Sequence, residues 1–126
     1  MRILIVAIAF LVVLVAFGLY SNSGLTSQAE ELSNYFVDME LMVSDGEWQQ
    51  AQKTLITMEQ QWQKVQFHWD MIIEHHEMDN IDGSLAKLKK YLKTKDETLA
   101  LGEISTVKHY LKHIPEKEAF NFQNIW

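Results

Sequence analysis

The sequence predicts an all-α protein: one N-terminal transmembrane helix, then a small antiparallel four-helix bundle or a pair of stacked helical hairpins. Three observations carry this. Apolar residues recur at alternating steps of three and four along most of the chain. The 126 residues include one Pro and five Gly, too few for a turn-rich β fold. Residues 3–20 are apolar apart from Gly18 and the Tyr20 hydroxyl, and a spanning helix needs roughly 17–25 such residues.

Residues 1–20 are therefore expected to form a signal-anchor helix. Arg2 and the amino terminus are its positive flank, and no Lys or Arg occurs from residue 21 to 52. The positive-inside tendency then keeps the N-terminus in the cytoplasm. The helical domain would lie outside, on a single-pass protein of the cytoplasmic membrane. A cleaved signal peptide is the rival reading: Ser21-Asn22-Ser23 offers small residues, but no A-x-A site is present. No Cys follows, which excludes a lipoprotein anchor.

Residues 21–24 read as a polar hinge, and residues 25–126 as one helical domain. The first helix, over about 25–44, carries Leu25, Ala29, Leu32, Phe36, Met39 and Val43 as an a/d seam. Asp45-Gly46 breaks the chain. Residues 47–76 form the longest seam: Trp48, Leu55, Trp62 and Trp69 recur every seven residues, each followed three later by Ala51, Met58, Val65 and Ile72. The polar cluster Glu74-His75-His76-Glu77 and the Asp79-Asn80 pair place the next break. A third helix over 78–94 carries Met78, Ile81, Leu85, Leu88 and Leu92. Gly83 lies inside it, at a cost of about 1 kcal/mol relative to Ala. Thr94-Lys95-Asp96 turns the chain. The fourth helix, over 97–114, carries Ala100, Ile104, Val107, Leu111 and Ile114, and Pro115 closes it. The apolar tail 115–126 should fold back onto the bundle. A shift of 51 residues superposes Asp45 on Asp96 and Ile56 on Val107, a weak repeat that any two amphipathic hairpins would give.

Charge is unevenly placed. Residues 25–82 hold two Lys and twelve acids, a net of −10; residues 83–126 hold eight Lys and five acids, a net of +3. Such halves suit mutual packing. The overall charge of −6 argues against nucleic acid as a partner.

The search for chemistry returns little. No cofactor fingerprint, phosphate loop or nucleophile motif occurs, and there is no Cys. Asp79-Asn80-Ile81-Asp82-Gly83 fails as a calcium loop, because Met78 and Lys89 fall where Asp and Glu are required. His109 and His113 share a helix face, and His75 and His76 sit among acids. These four are the metal candidates, although each pair is half a zinc site. Lys87, Lys89, Lys90, Lys93 and Lys95 read as a solvated face, or as a contact for anionic head groups or wall polymer. Trp48, Trp62 and Trp69 read as core, or as an aromatic partner surface.

The chain also resembles a family of short, N-terminally membrane-anchored helical proteins of Gram-positive bacteria, a domain of unknown function. The resemblance covers the anchor and nearly all of the helical domain. It rests on Trp48 with Ala51, on Trp62 and Trp69, on Asn80-Ile81, on Ser84-Leu85-Ala86 with Leu88 and Tyr91, and on Lys95-Asp96. It rests most on His113-Ile114-Pro115-Glu116-Lys117-Glu118 with Asn124-Ile125. Gly83 departs from it, since the family usually has a larger residue there. The resemblance implies an anchor and a small helical domain, and carries no activity. The motif around Pro115 is either a helix stop or a contact surface.

The functional expectation is a non-catalytic accessory or interaction protein. Its partners would be the membrane, through one span, and a membrane or envelope protein or a second copy. Trp48, Trp62, Trp69, His113, Pro115, Glu116 and Trp126 are the contact candidates, and no cofactor is implied. The alternative is a His-based metal-binding or pH-responsive helical protein.

Overall fold

The computed structural model describes the backbone of residues 1–71 and 73–125, and the side chains of residues 1–17, 24–71 and 73–116. Four helices follow one another: α1 (Arg2–Ser44), α2 (Trp48–Trp69), α3 (His75–Thr94) and α4 (Glu97–Ile125). Each packs on its neighbours in sequence, and α4 closes the ring on α1; the α1–α4 interface is the most extensive and α2–α3 the least. Short corners make consecutive helices antiparallel. Side-chain contacts agree with this direction. Gln52 Nε2, early in α2, donates to the Leu92 carbonyl late in α3, and Trp62 Nε1, further along α2, donates to Asp82 early in α3. The arrangement is an up-down-up-down bundle.

The heptad seams build the core. All six seam residues of the first helix and all five of both the third and fourth are buried. In α2, Ala51, Leu55, Met58, Trp62 and Trp69 are buried, while Trp48 and Val65 pack half-buried against the core. Flanking positions then choose the neighbour. On α1, Gln28 and Met42 lie beside the seam and bond to α2, through Trp69 and Thr54. On the other flank, Glu40 pairs with Lys108 of α4.

Both sharp corners use the same hydrogen-bond pattern. After α1, the Glu47 N–H donates to the Met42 carbonyl at 2.8 Å and the Gly46 N–H to Val43 at 3.1 Å, with Gly46 at φ 75°. After α3, the Asp96 N–H donates to Tyr91 at 3.0 Å and the Lys95 N–H to Leu92 at 3.3 Å. This is the Schellman cap, whose left-handed residue is usually Gly. Here Lys95 occupies it at φ 58°. Asp96 then opens α4, its Oδ1 accepting the Leu99 N–H at 3.0 Å.

Several expectations need correction. Among the described residues, no helix is long and apolar enough to cross a membrane. The single-pass anchor is therefore not supported, nor is the placement on the cytoplasmic membrane with an exported domain that rested on it. Residues 21–24 are helical rather than a hinge, and α1 continues through them. The Trp-rich helix stops at Trp69 rather than near His76, and α3 begins at His75. No Gly or Pro marks that break. Tertiary packing sets it: Met78 must enter the core from a reversed helix, and Ile73, 5 % exposed, plugs the corner between them. Finally, α4 does not end at Ile114 but runs through Pro115 to Ile125. A proline ring removes one N–H and costs the Leu111 carbonyl its i+4 donor, yet the helix on either side holds. The side chains of residues 117–125, and Trp126 altogether, lie outside the described residues.

Candidate functional site

A groove runs between α1 and α4, with a volume of about 660 Å³. Its origin is visible in the seam flanks. From α1 come Thr26, Ala29 and Ser33, all small; from α4 come Leu111 and Pro115 at the floor. Ala29, Leu111 and Pro115 are buried, so the floor is apolar. Large residues at positions 26 and 33 would have filled the trough. The rims are polar and exposed: Thr26 and Glu30 on α1, and Ser105, His109, Lys112 and Glu116 on α4.

Charges are set within it unevenly. Lys108 is committed, its Nζ 3.0 Å from Glu40 Oε2 with both side chains about one-third exposed. His113 Nδ1 stands 4.0 Å from Glu116 Oε2, but both side chains are about 60 % exposed, where such a contact contributes little. Glu30 and Lys112 line opposite walls, and no ion pair joins them. The groove thus sets the Glu30 carboxylate on the α1 wall and the Lys112 ammonium and Glu116 carboxylate on the α4 wall, around an apolar floor, and no group able to hold a metal ion occurs among the described residues.

The Trp candidates lie elsewhere. Trp62 and Trp69 are at most 2 % exposed and pack edge to face, with ring centroids 5.5 Å apart. Each indole N–H has a partner at the edge of the core. Trp62 Nε1 donates to Asp82 Oδ1 at 2.8 Å, and Trp69 Nε1 to Gln28 Oε1 at 2.8 Å. Gln66 Nε2 donates to the other Asp82 oxygen at 3.1 Å, so one carboxylate holds two residues of α2. Trp48 is half-buried against the core.

The His candidates are all exposed. His109 and His113 stack, with centroids 5.5 Å apart and an interplanar angle of 12°. His75 and His76 open α3. Among the described residues, no three His, Asp or Glu side chains form a group able to hold a metal ion. Lys87, Lys89, Lys90, Lys93 and Lys95 are exposed and make no ion pair among the described residues. Their place in the last turns of α3 and at its cap suits the negative end of the helix dipole.

Two contact candidates, Pro115 and Glu116, do line the groove, and His113 contacts Glu116 beside it. Sequence reasoning missed the α1 wall. Its signal was faint: Thr26, Ser33 and Glu40 recur every seven residues beside the seam, as Lys108 and Pro115 do on α4.

Residues 19–125 match DUF4363, a domain of unknown function. No curated protein and no solved structure matches the chain.

Proposed function

We propose, from the premise that the chain belongs to the DUF4363 family, that it is a non-catalytic helical interaction module that binds its partner in the α1–α4 groove. One observation carries this reading: an apolar-floored trough, left by small residues on α1, with Glu30 on one wall and Lys112 on the other, neither in an ion pair among the described residues. Ala29, Leu111 and Pro115 give the trough a buried apolar floor beneath polar, exposed rims. Polar groups are present at the rim in the number that orients a ligand, not in an array that transforms one.

The Trp-rich helix, the other place where a partner was expected, has two of its three Trp side chains inside the core and the third half-buried against it. The segment that most marks the family resemblance, His113-Ile114-Pro115-Glu116, borders the groove. That favours its reading as a contact surface over a helix stop.

Photo-crosslinking tests this. A benzophenone amino acid at Ser105, on the groove rim, should give a reproducible adduct in the host cell. The same group at Gln49, exposed on α2, should give none. Adducts at both sites alike, or at Gln49 alone, would contradict the proposal. So would turnover of a substrate by the purified chain.

A further inference from the structure

Resting on the α1–α4 groove as the contact surface, we infer that its occupant is a short amphipathic helix whose apolar stripe is flanked by a carboxylate on one side and a Lys or Arg on the other.

The shape selects a helix. The walls are two antiparallel helices side by side, and the trough between such a pair accepts the ridge of a third. At 1.5 Å per residue, the α1 wall from Thr26 to Ser33 runs about 10 Å and the α4 wall from Ser105 to Glu116 about 16 Å. Those lengths are two and three helical turns. Thr26 and Ser33, seven residues apart on the α1 wall, give the small-residue surface that lets helices approach closely. A small ligand is served less well. Sites for small molecules enclose most of the ligand's surface, whereas here the rim residues Thr26, Glu30, Ser105, His109 and Lys112 are exposed along the trough's open side.

The charges select its flanks. Glu30 stands on one wall and Lys112 on the other, both exposed and, among the described residues, without an ion pair; Glu116 shares the Lys112 wall one turn on, where His113 Nδ1 stands 4.0 Å from it. Lys108 is already held by Glu40. An occupant carrying only acids meets Glu30, and one carrying only bases meets Lys112. A helix with one of each satisfies both walls in one of its two directions, and turned end for end it sets like charges together. Flanking charges of this kind choose partners in helix pairs generally.

Fluorescence anisotropy of the full chain with three labelled helical peptides of roughly 14 residues, about four turns, decides the matter. All three carry the same Leu and Ala stripe; their flanks are Glu and Lys, Lys on both sides, or Glu on both sides. The mixed peptide should bind roughly tenfold tighter than either of the others. Lys112→Glu should transfer the preference to the all-Lys peptide, and Glu30→Lys should transfer it to the all-Glu peptide. Both residues are exposed, so the variants keep the fold, which circular dichroism checks. Equal affinity for the three peptides, or a preference indifferent to the two exchanges, overturns the inference. If no helix binds but a zwitterionic dipeptide does, and Ser33→Trp abolishes that binding, the helical occupant is wrong while the groove stands as the contact surface. If no probe binds and Ser33→Trp leaves the Ser105 adduct unchanged, the groove reading itself falls.

Discussion

Along α2, two indoles fill the seam and pass their N–H groups to Asp82 and Gln28. Along α1 and α4, the facing flank positions are Thr26, Ser33 and Pro115, and a trough remains. The more extensive interface is the one with the open groove, and the Trp-rich helix forms the sealed side. Bulk on a seam is absorbed when each bulky group finds a knob hole for its apolar body and an acceptor for its polar edge. Its absence on a flank leaves a surface for something else. Aromatic density on α2 thus marks core packing, with Trp62 and Trp69 both buried.

The largest expected effect breaks the sealed side. Trp69→Ala removes a fully buried indole, its edge contact with Trp62 and its bond to Gln28. A loss of roughly 3–5 kcal/mol is expected for a buried Trp truncated to Ala, read by urea denaturation. A loss below about 0.5 kcal/mol, the range of ordinary surface changes, would mean that α2 is not held as described. A smaller effect, of opposite sign, sharpens the comparison from α3. Gly83 is exposed, helical and has open space where a Cβ would stand. Gly83→Ala should therefore stabilise the chain by about 0.5–1 kcal/mol, seen as a raised denaturation midpoint, and leave groove binding unchanged. A destabilised variant would show that this turn depends on the glycine.

The seams were legible in the sequence because a/d periodicity reports the side of a helix that is covered. Leu25 through Val43, Met78 through Leu92 and Ala100 through Ile114 are buried residue by residue along those stripes. The corner after Gly46 was marked by its glycine. What stayed illegible depends on neighbours distant in sequence. Nothing local ends α2 at Trp69; the end is set by where Met78 must re-enter the core. Pro115 reads as a stop by local rules, yet the helix continues past it with the ring buried in the groove floor. The apolar N-terminal run reads as a span by count, yet among the described residues no helix is long and apolar enough to cross a membrane. The groove was hidden because its α1 wall consists of small residues, and Thr26 and Ser33 announce nothing in a sequence.

The most direct measurement pairs two variants on two readouts: stability by urea denaturation and affinity for the mixed-flank helical peptide by anisotropy. Trp62→Phe deletes the bond to Asp82 and part of a buried side chain, and Ser33→Trp fills the groove from a half-buried wall position. Trp62→Phe should lose about 1–3 kcal/mol of stability with affinity unchanged. Ser33→Trp should lose the peptide with stability changed by no more than about 0.5 kcal/mol. Loss of affinity in Trp62→Phe with full binding by Ser33→Trp would place the contact on the Trp-rich helix and contradict the division between the sealed side and the open one.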